Sequence, residues 1–154
     1  MKRRELYVYM ESIEKVSSLK GVKFAYTIIK NKKKFEEEIK ILEEVVKPSE
    51  GFTNYEKERI SLCELSCEKT ENGSPVIENN RYKIIDVPKF DLELNSLKEK
   101  NNEFITEREN QINEYNRMLE EDINLDISKI GFEDLPIDIT TEQLESIDFM
   151  INFE

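Results

Sequence analysis

At 154 residues and 18.3 kDa the chain has the length of one ordinary domain, and 37% charged against 38% hydrophobic residues gives it much surface for its core. Four glycines and four prolines leave few turn sites and argue against a sandwich or barrel of many short strands. No histidine is present, so the commonest general base and the commonest transition-metal ligand are missing and no Ser/His or Cys/His nucleophile pair can be assembled.

The first predicted helix runs from about Arg4 to Leu19, with Leu6, Met10, Ile13 and Val16 on one face. Leu19-Lys20-Gly21 supplies its stop, since glycine tolerates the left-handed conformation that closes many helices. The start of the chain is basic but lacks an apolar core segment, and no stretch approaches 18 apolar residues. The expectation is a soluble protein of the cytoplasm with no membrane partner.

From Val22 to Lys47 the periodicity is the strongest in the sequence. Ala25, Ile28, Lys32, Phe35, Ile39, Leu42 and Val46 alternate spacings of three and four, which makes a helical seam. Lys32 interrupts it and reads as a rim position whose stem lies on the apolar stripe. Lys32, Lys33 and Lys34 each stand four residues before Glu36, Glu37 and Glu38, so the one dense cationic run is expected to be neutralised along its own helix. That reading opposes a nucleic-acid partner, which would need an unpaired basic stripe.

Pro48 ends or bends this helix, and residues 48–54 read as a short linker. A second, moderately amphipathic helical stretch from Tyr55 to about Lys69 carries Ile60, Leu62, Cys63, Leu65 and Cys67; it folds back on the preceding helix or continues it past a kink. Cys63 and Cys67 lack the two further ligands a zinc site needs and sit poorly for a disulfide on neighbouring turns. They read as small buried thiols, and no metal, cofactor or catalytic residue is expected.

Asn72-Gly73 followed by Ser74-Pro75 is the clearest turn signal. Two short extended runs follow about an Asn79-Asn80 turn, a β-hairpin that needs helices to pack on. Asp86 then caps a long helix with Pro88 in its first turn, running to about Glu121. Phe90, Leu94, Leu97, Phe104, Tyr115 and Met118 hold a heptad-like register, while Asn101, Arg108 and Gln111 fall in the same stripe. Two readings stay open for that polar middle: a hydrated helix face, or a polar partner contact through Asn101, Arg108 and Gln111.

Ile123, Leu125 and Ile127 alternate like a strand, and Thr140 with Gln143 has capping-box spacing before a short helix with Leu144, Ile147 and Ile151. Apolar residues as far as Phe153 suggest that the C-terminus docks on the body or is held by a partner. Charge is polarised along the chain: residues 1 to 47 carry a net +4, residues 48 to 87 a net −3 and residues 88 to 154 a net −12, within the total of −11. The acidic subregion 119–154 is either a soluble surface or a surface that steers toward a basic protein, with Glu120, Glu121 and Asp122 as candidate partner-binding residues.

Leu19-Lys20-Gly21 entering a basic helix, residues 55–80 with their helix-turn motif, and residues 89–105 together resemble a family of small proteins encoded by bacteriophages of Gram-positive bacteria, a domain of unknown function. The resemblance implies a phage or mobile-element origin and carries no catalytic residues across. The reading of residues 1–154 is thus a single, mainly α domain. It consists of an antiparallel pairing of the two long helices, Val22 to Lys47 and Pro88 to Glu121, with a small β-hairpin and a short C-terminal helix. The expected function is non-enzymatic protein binding, occupying a surface of a basic host enzyme or defence complex as an inhibitor. The alternative is a virion structural or assembly factor working as a helical homo-oligomer; an enzyme using paired carboxylates and a divalent metal is the third reading.

Overall fold

Apolar periodicity and end signals account for where most helices begin and stop in the computed structural model, which describes residues 1–152. The chain forms α1 (Glu5–Val16), α2 (Val22–Val46), α3 (Glu50–Ser66), α4 (Val87–Lys100), α5 (Asn102–Leu119) and α6 (Thr141–Ser146). Four two-residue strands accompany them: β1 (Ile77–Glu78), β2 (Arg81–Tyr82), β3 (Ile130–Gly131) and β4 (Ile151–Asn152). The fold is mainly α, as the periodicity predicts. Among the described residues no helix is long and apolar enough to cross a membrane.

Within the residues read above as one domain, the packing falls into two compact units, residues 1–46 with 113–154, and residues 47–112. In the first unit α1 and α2 form an antiparallel pair joined through Gly21, whose φ of +141° suits a residue without Cβ. Leu6, Ile13 and Val16 from α1 meet Phe24, Ile28 and Phe35 from α2, all buried. Residues 123–151 lie over these helices and complete the core with Ile130, Ile147, Met150 and Ile151. The Tyr9 ring stands 5.9 Å from Phe35 and 4.1 Å from Phe149, within the range of favourable aromatic pairs.

The alternation of Ile123, Leu125 and Ile127 is kept in burial, with Asn124 and Asp126 exposed between them. These residues make no ladder, however; the strand lies a few residues on, where β3 pairs with β4 in parallel. Thr140 and Gln143 form the expected capping box at the start of α6. Ile151 is buried, whereas Phe153 lies outside the described residues.

Asn31 is the residue the seam did not announce. It is fully buried, donates from Nδ2 to Ser128 O at 2.8 Å and accepts from Ser128 N at 2.8 Å. One side-chain amide thereby satisfies both backbone groups of a residue 97 positions away, as a buried amide must if it is not to cost free energy. The predicted seam holds at Ile28, Phe35 and Leu42, and Asn31 takes the buried place beside Lys32, which is half-buried at the rim as expected.

In the second unit, the structure corrects the reading of residues 48–54 as a linker. Ser49 caps α3 by accepting from Phe52 N, so the helix starts at Glu50, two residues after Pro48. Gly51 permits this start, because a Cβ there would come within 2.3 Å of the Phe104 ring. β1 and β2 form the expected antiparallel hairpin, with Asn79 and Asn80 at φ of 51° and 61°, the left-handed pair of a type I′ turn.

Asp86 caps α4 by accepting from Lys89 N, but the long helix predicted to Glu121 breaks at Asn101 into α4 and α5. The expected pairing of the two long helices is likewise replaced. The packing pairs are α1 with α2 and α3 with α4, so each long segment takes its chain neighbour.

Candidate functional site

Each helix of the α3–α4 hairpin carries apolar residues on more than one side. Tyr55 and Cys63 are the buried residues of α3, while Leu62 is half-buried and Leu65 exposed. In α4 no residue is buried at all. Cys63 and Leu65 are two positions apart and therefore on roughly opposite sides of the helix. The Tyr55–Cys63 side faces inward, and the Leu65 side is left uncovered within this unit.

Between α3 and α4 lies an open groove of about 570 Å³, whose apolar floor is Leu62, Leu65 and Leu97. A second cavity of about 280 Å³ shares Leu62 and Leu65 and extends the same surface to Ile85 and Phe90. Leu65 is 83% exposed and Ile85 73%, which is unusual for aliphatic side chains side by side on a folded surface. Lys57, Glu58 and Lys100 line one end of the surface, Asp86 and Lys89 the other, and Glu93 lines both cavities between them. Lys100 Nζ lies 3.7 Å from Glu58 and Lys89 Nζ 3.9 Å from Glu93. The charged lining of the larger groove, two lysines and two glutamates, therefore sums to zero.

A smaller cavity of about 370 Å³ on the other side of α3 holds Arg59, Cys63, Arg81 and Tyr82. Its guanidinium from Arg59 is already committed, both nitrogens reaching the Glu56 carboxylate at 2.9 Å. Burial pushes the Cys63 thiol up, which makes it a poor nucleophile. Cys63 and Cys67 are both free and buried. Among the described residues no group of three or more Cys, Asp or Glu side chains stands where it could hold a metal ion.

The residues that sequence reading nominated for partner binding scatter into three roles. Asn101 is buried and donates from Nδ2 to Leu97 O at 2.9 Å, at the break between α4 and α5. Arg108 stacks its guanidinium 5.7 Å from the Phe52 ring centre and reaches Gln111 Oε1 at 3.4 Å; both are half-buried and engaged with their own unit.

Glu120, Glu121 and Asp122 belong to an intramolecular clasp. Lys2 Nζ and Arg4 Nη1 reach the Glu120 carboxylate at 2.7 and 2.8 Å, and Arg3 Nη1 reaches Glu121 at 2.5 Å. Backbone bonds from Arg3 N to Glu121 O and Arg4 N to Leu119 O run alongside, and the backbones of Lys2 and Asp122 form an isolated antiparallel bridge. The hydrogen bond from Lys2, helped by the charge of Arg4, holds the Glu120 carboxyl below its ordinary range. Glu120 and Glu121 are thus paired with the chain's own basic start.

The cationic run is corrected in the same way. Only Lys32 keeps its expected partner, Glu36, at 3.9 Å. Lys34 reaches Asp126 instead, at 3.2 Å, and Glu38 receives Arg3 at 3.4 Å. The run is thus paired once along its own helix, at Lys32, and once across the fold, at Lys34.

Sequence reading named Leu62, Leu65 and Leu97 as apolar positions but assigned them to packing. The signal that marks the groove is the one noted as weakness: α3 is only moderately amphipathic because its apolar residues point two ways, which an inward-facing helix of a self-sufficient hairpin has no use for. No protein-family model matches the chain, and neither a curated protein nor a solved structure matches it.

Proposed function

We propose that the chain works by binding another protein, without catalysis, through the uncovered apolar face of the α3–α4 hairpin. The observation that carries this reading is the groove floored by Leu62, Leu65 and Leu97 with charged ends, because contiguous exposed apolar surface rimmed by polar groups is what association sites require. Absence of histidine and the raised Cys63 thiol support the non-catalytic half of the reading. In its leading form a phage-encoded chain in the host cytoplasm occupies a surface of a host enzyme or defence complex. A virion assembly factor is the second form. The acidic corner at Glu120 and Glu121 is left out of the contact, since its charges are already paired.

Photo-crosslinking tests it. A benzophenone amino acid at Leu65 should yield a discrete protein adduct in cells, and the same probe at Val8, an exposed apolar position of α1, should not. No adduct from position 65, or the same adducts from both positions, removes the reading.

A further inference from the structure

The cavity of about 370 Å³ on the other side of α3 differs from the groove in its charge. Lysines and acids are mixed around the groove and its neighbour, whereas Arg59 and Arg81 are the charged residues lining this cavity and no acid joins them. In a chain whose net charge is −11, a recess lined by cations alone departs from the surface around it.

Neighbouring contacts show how much of that charge is free. Arg59 gives two of its five N–H donors to Glu56 at 2.9 Å, a pair that offsets its charge and leaves the other donors unspent. Arg81 is exposed and stands opposite Glu78 in the β1–β2 hairpin, the acid that would ordinarily neutralise it. Lys83 takes that acid instead, its Nζ lying 3.3 Å from Glu78 and 2.9 Å from Glu68. Among the described residues Arg81 has no ion-pair partner, so the cavity keeps one uncompensated positive charge.

Its floor is apolar. Cys63 is buried, and Tyr82, Ile84 and Leu94 are half-buried. Roughly 150 Å³ is enough to hold a benzene ring, so the space takes one ring with a short arm. Arginine grips carboxylate and phosphate alike, but a single uncompensated charge matches a carboxylate and leaves much of the charge of a phosphate group unmet at neutral pH.

We propose that this cavity binds a small aromatic carboxylate, its ring lying on Tyr82, Ile84 and Leu94 and its carboxylate held by Arg81 with help from the unspent donors of Arg59. Such a group arrives as a free acid or as the C-terminal aromatic residue of a peptide. The site is separate from the groove on which protein binding is proposed and stands without that reading.

NMR titration of the isotope-labelled full chain tests the proposal, with phenylacetate as one probe and an N-acetylated dipeptide ending in free phenylalanine as the other. Phenylacetate should shift the backbone signals of Arg81, Tyr82 and Leu94 and saturate with a dissociation constant of about 1 mM or lower, ordinary for a ligand of this size. Arg81→Gln, an exposed change whose helicity circular dichroism checks, should weaken binding by about tenfold or more. Benzyl alcohol, which keeps the ring and lacks the charge, should bind weaker by a similar factor. Glu56→Gln removes the acid that offsets Arg59 and should tighten binding by about threefold, an outcome that a loss of helix stability would not produce. Whichever probe binds more tightly names the source, free acid or chain end. Absence of shifts at these residues with both probes overturns the proposal, as does binding that survives Arg81→Gln, that benzyl alcohol equals, or that Glu56→Gln fails to strengthen.

Discussion

The two compact units use similar helices and bury them to opposite extents. In residues 1–46 and 113–154 one face of each helix is closed, with Leu6, Ile13, Val16 and Phe35 fully buried, while Val8, Tyr26 and Ile29 stay exposed on other faces. In residues 47–112 a helix of 14 residues, α4, has no buried residue. The difference lies in what covers each hairpin, not in helix propensity. Residues 123–151 lay a third layer over α1 and α2, and the α3–α4 hairpin has no equivalent from its own unit. A hairpin with a cover is a scaffold; one without is a surface looking for its complement.

The comparison can be broken most forcefully at Asn31. Asn31→Ala removes both bonds to Ser128 and strands two backbone groups beside a packed core, which should cost about 2–4 kcal/mol in urea unfolding. A loss under about 1 kcal/mol would mean that the covering layer is not held as described. The next largest effect belongs to the other unit. Ala ordinarily improves on Gly inside a helix by roughly 0.5–1 kcal/mol, but at Gly51 the added Cβ meets the Phe104 ring. Gly51→Ala should therefore destabilise, by about 1–3 kcal/mol as overpacking does, and a gain in melting temperature would contradict the close approach.

A smaller effect follows from the clasp between the chain's basic start and Glu120. The folded-state carboxyl of Glu120 lies below its ordinary value of 4.5. Its contribution is therefore complete above about pH 4.5 and is lost as pH falls through the lower folded value. Melting temperature recorded from neutral to acid pH should fall less steeply below that point in Glu120→Gln than in the wild-type chain; parallel profiles would show the pairs to be energetically idle, as exposed pairs often are. The smallest effect is expected at Leu65. Because the side chain is 83% exposed, Leu65→Ser in the dissociated chain should change unfolding free energy by no more than about 0.5 kcal/mol. A larger loss would place Leu65 in the core that its exposure denies.

Helix existence was legible because it is written in spacings of three and four residues. The seam from Val22, the Thr140–Gln143 box and the Asn79-Asn80 turn all depend on neighbours within one turn or hairpin, and each stands where the residues place it. The groove was half legible: its leucines could be named, but whether an apolar residue on α3 faces inward or outward depends on which side α4 takes. The surroundings of the candidate partner residues were not legible for the same reason. Asn101 and Glu120 look available in a one-dimensional stripe, and only the packed chain shows the first buried and the second occupied by Lys2 and Arg4.

The amino-acid order by itself determined the helical class, most caps and turns, and the absence of imidazole chemistry, since these depend on residue type and on contacts a few positions apart. The tertiary structure decided the rest: that Lys34 answers to Asp126 and not Glu38, that Asn31 clasps Ser128, that Lys2 meets a carboxylate 118 residues away. Such pairings are fixed when distant segments compete for the same apolar face and the same charges, and no local spacing encodes which segment wins that competition.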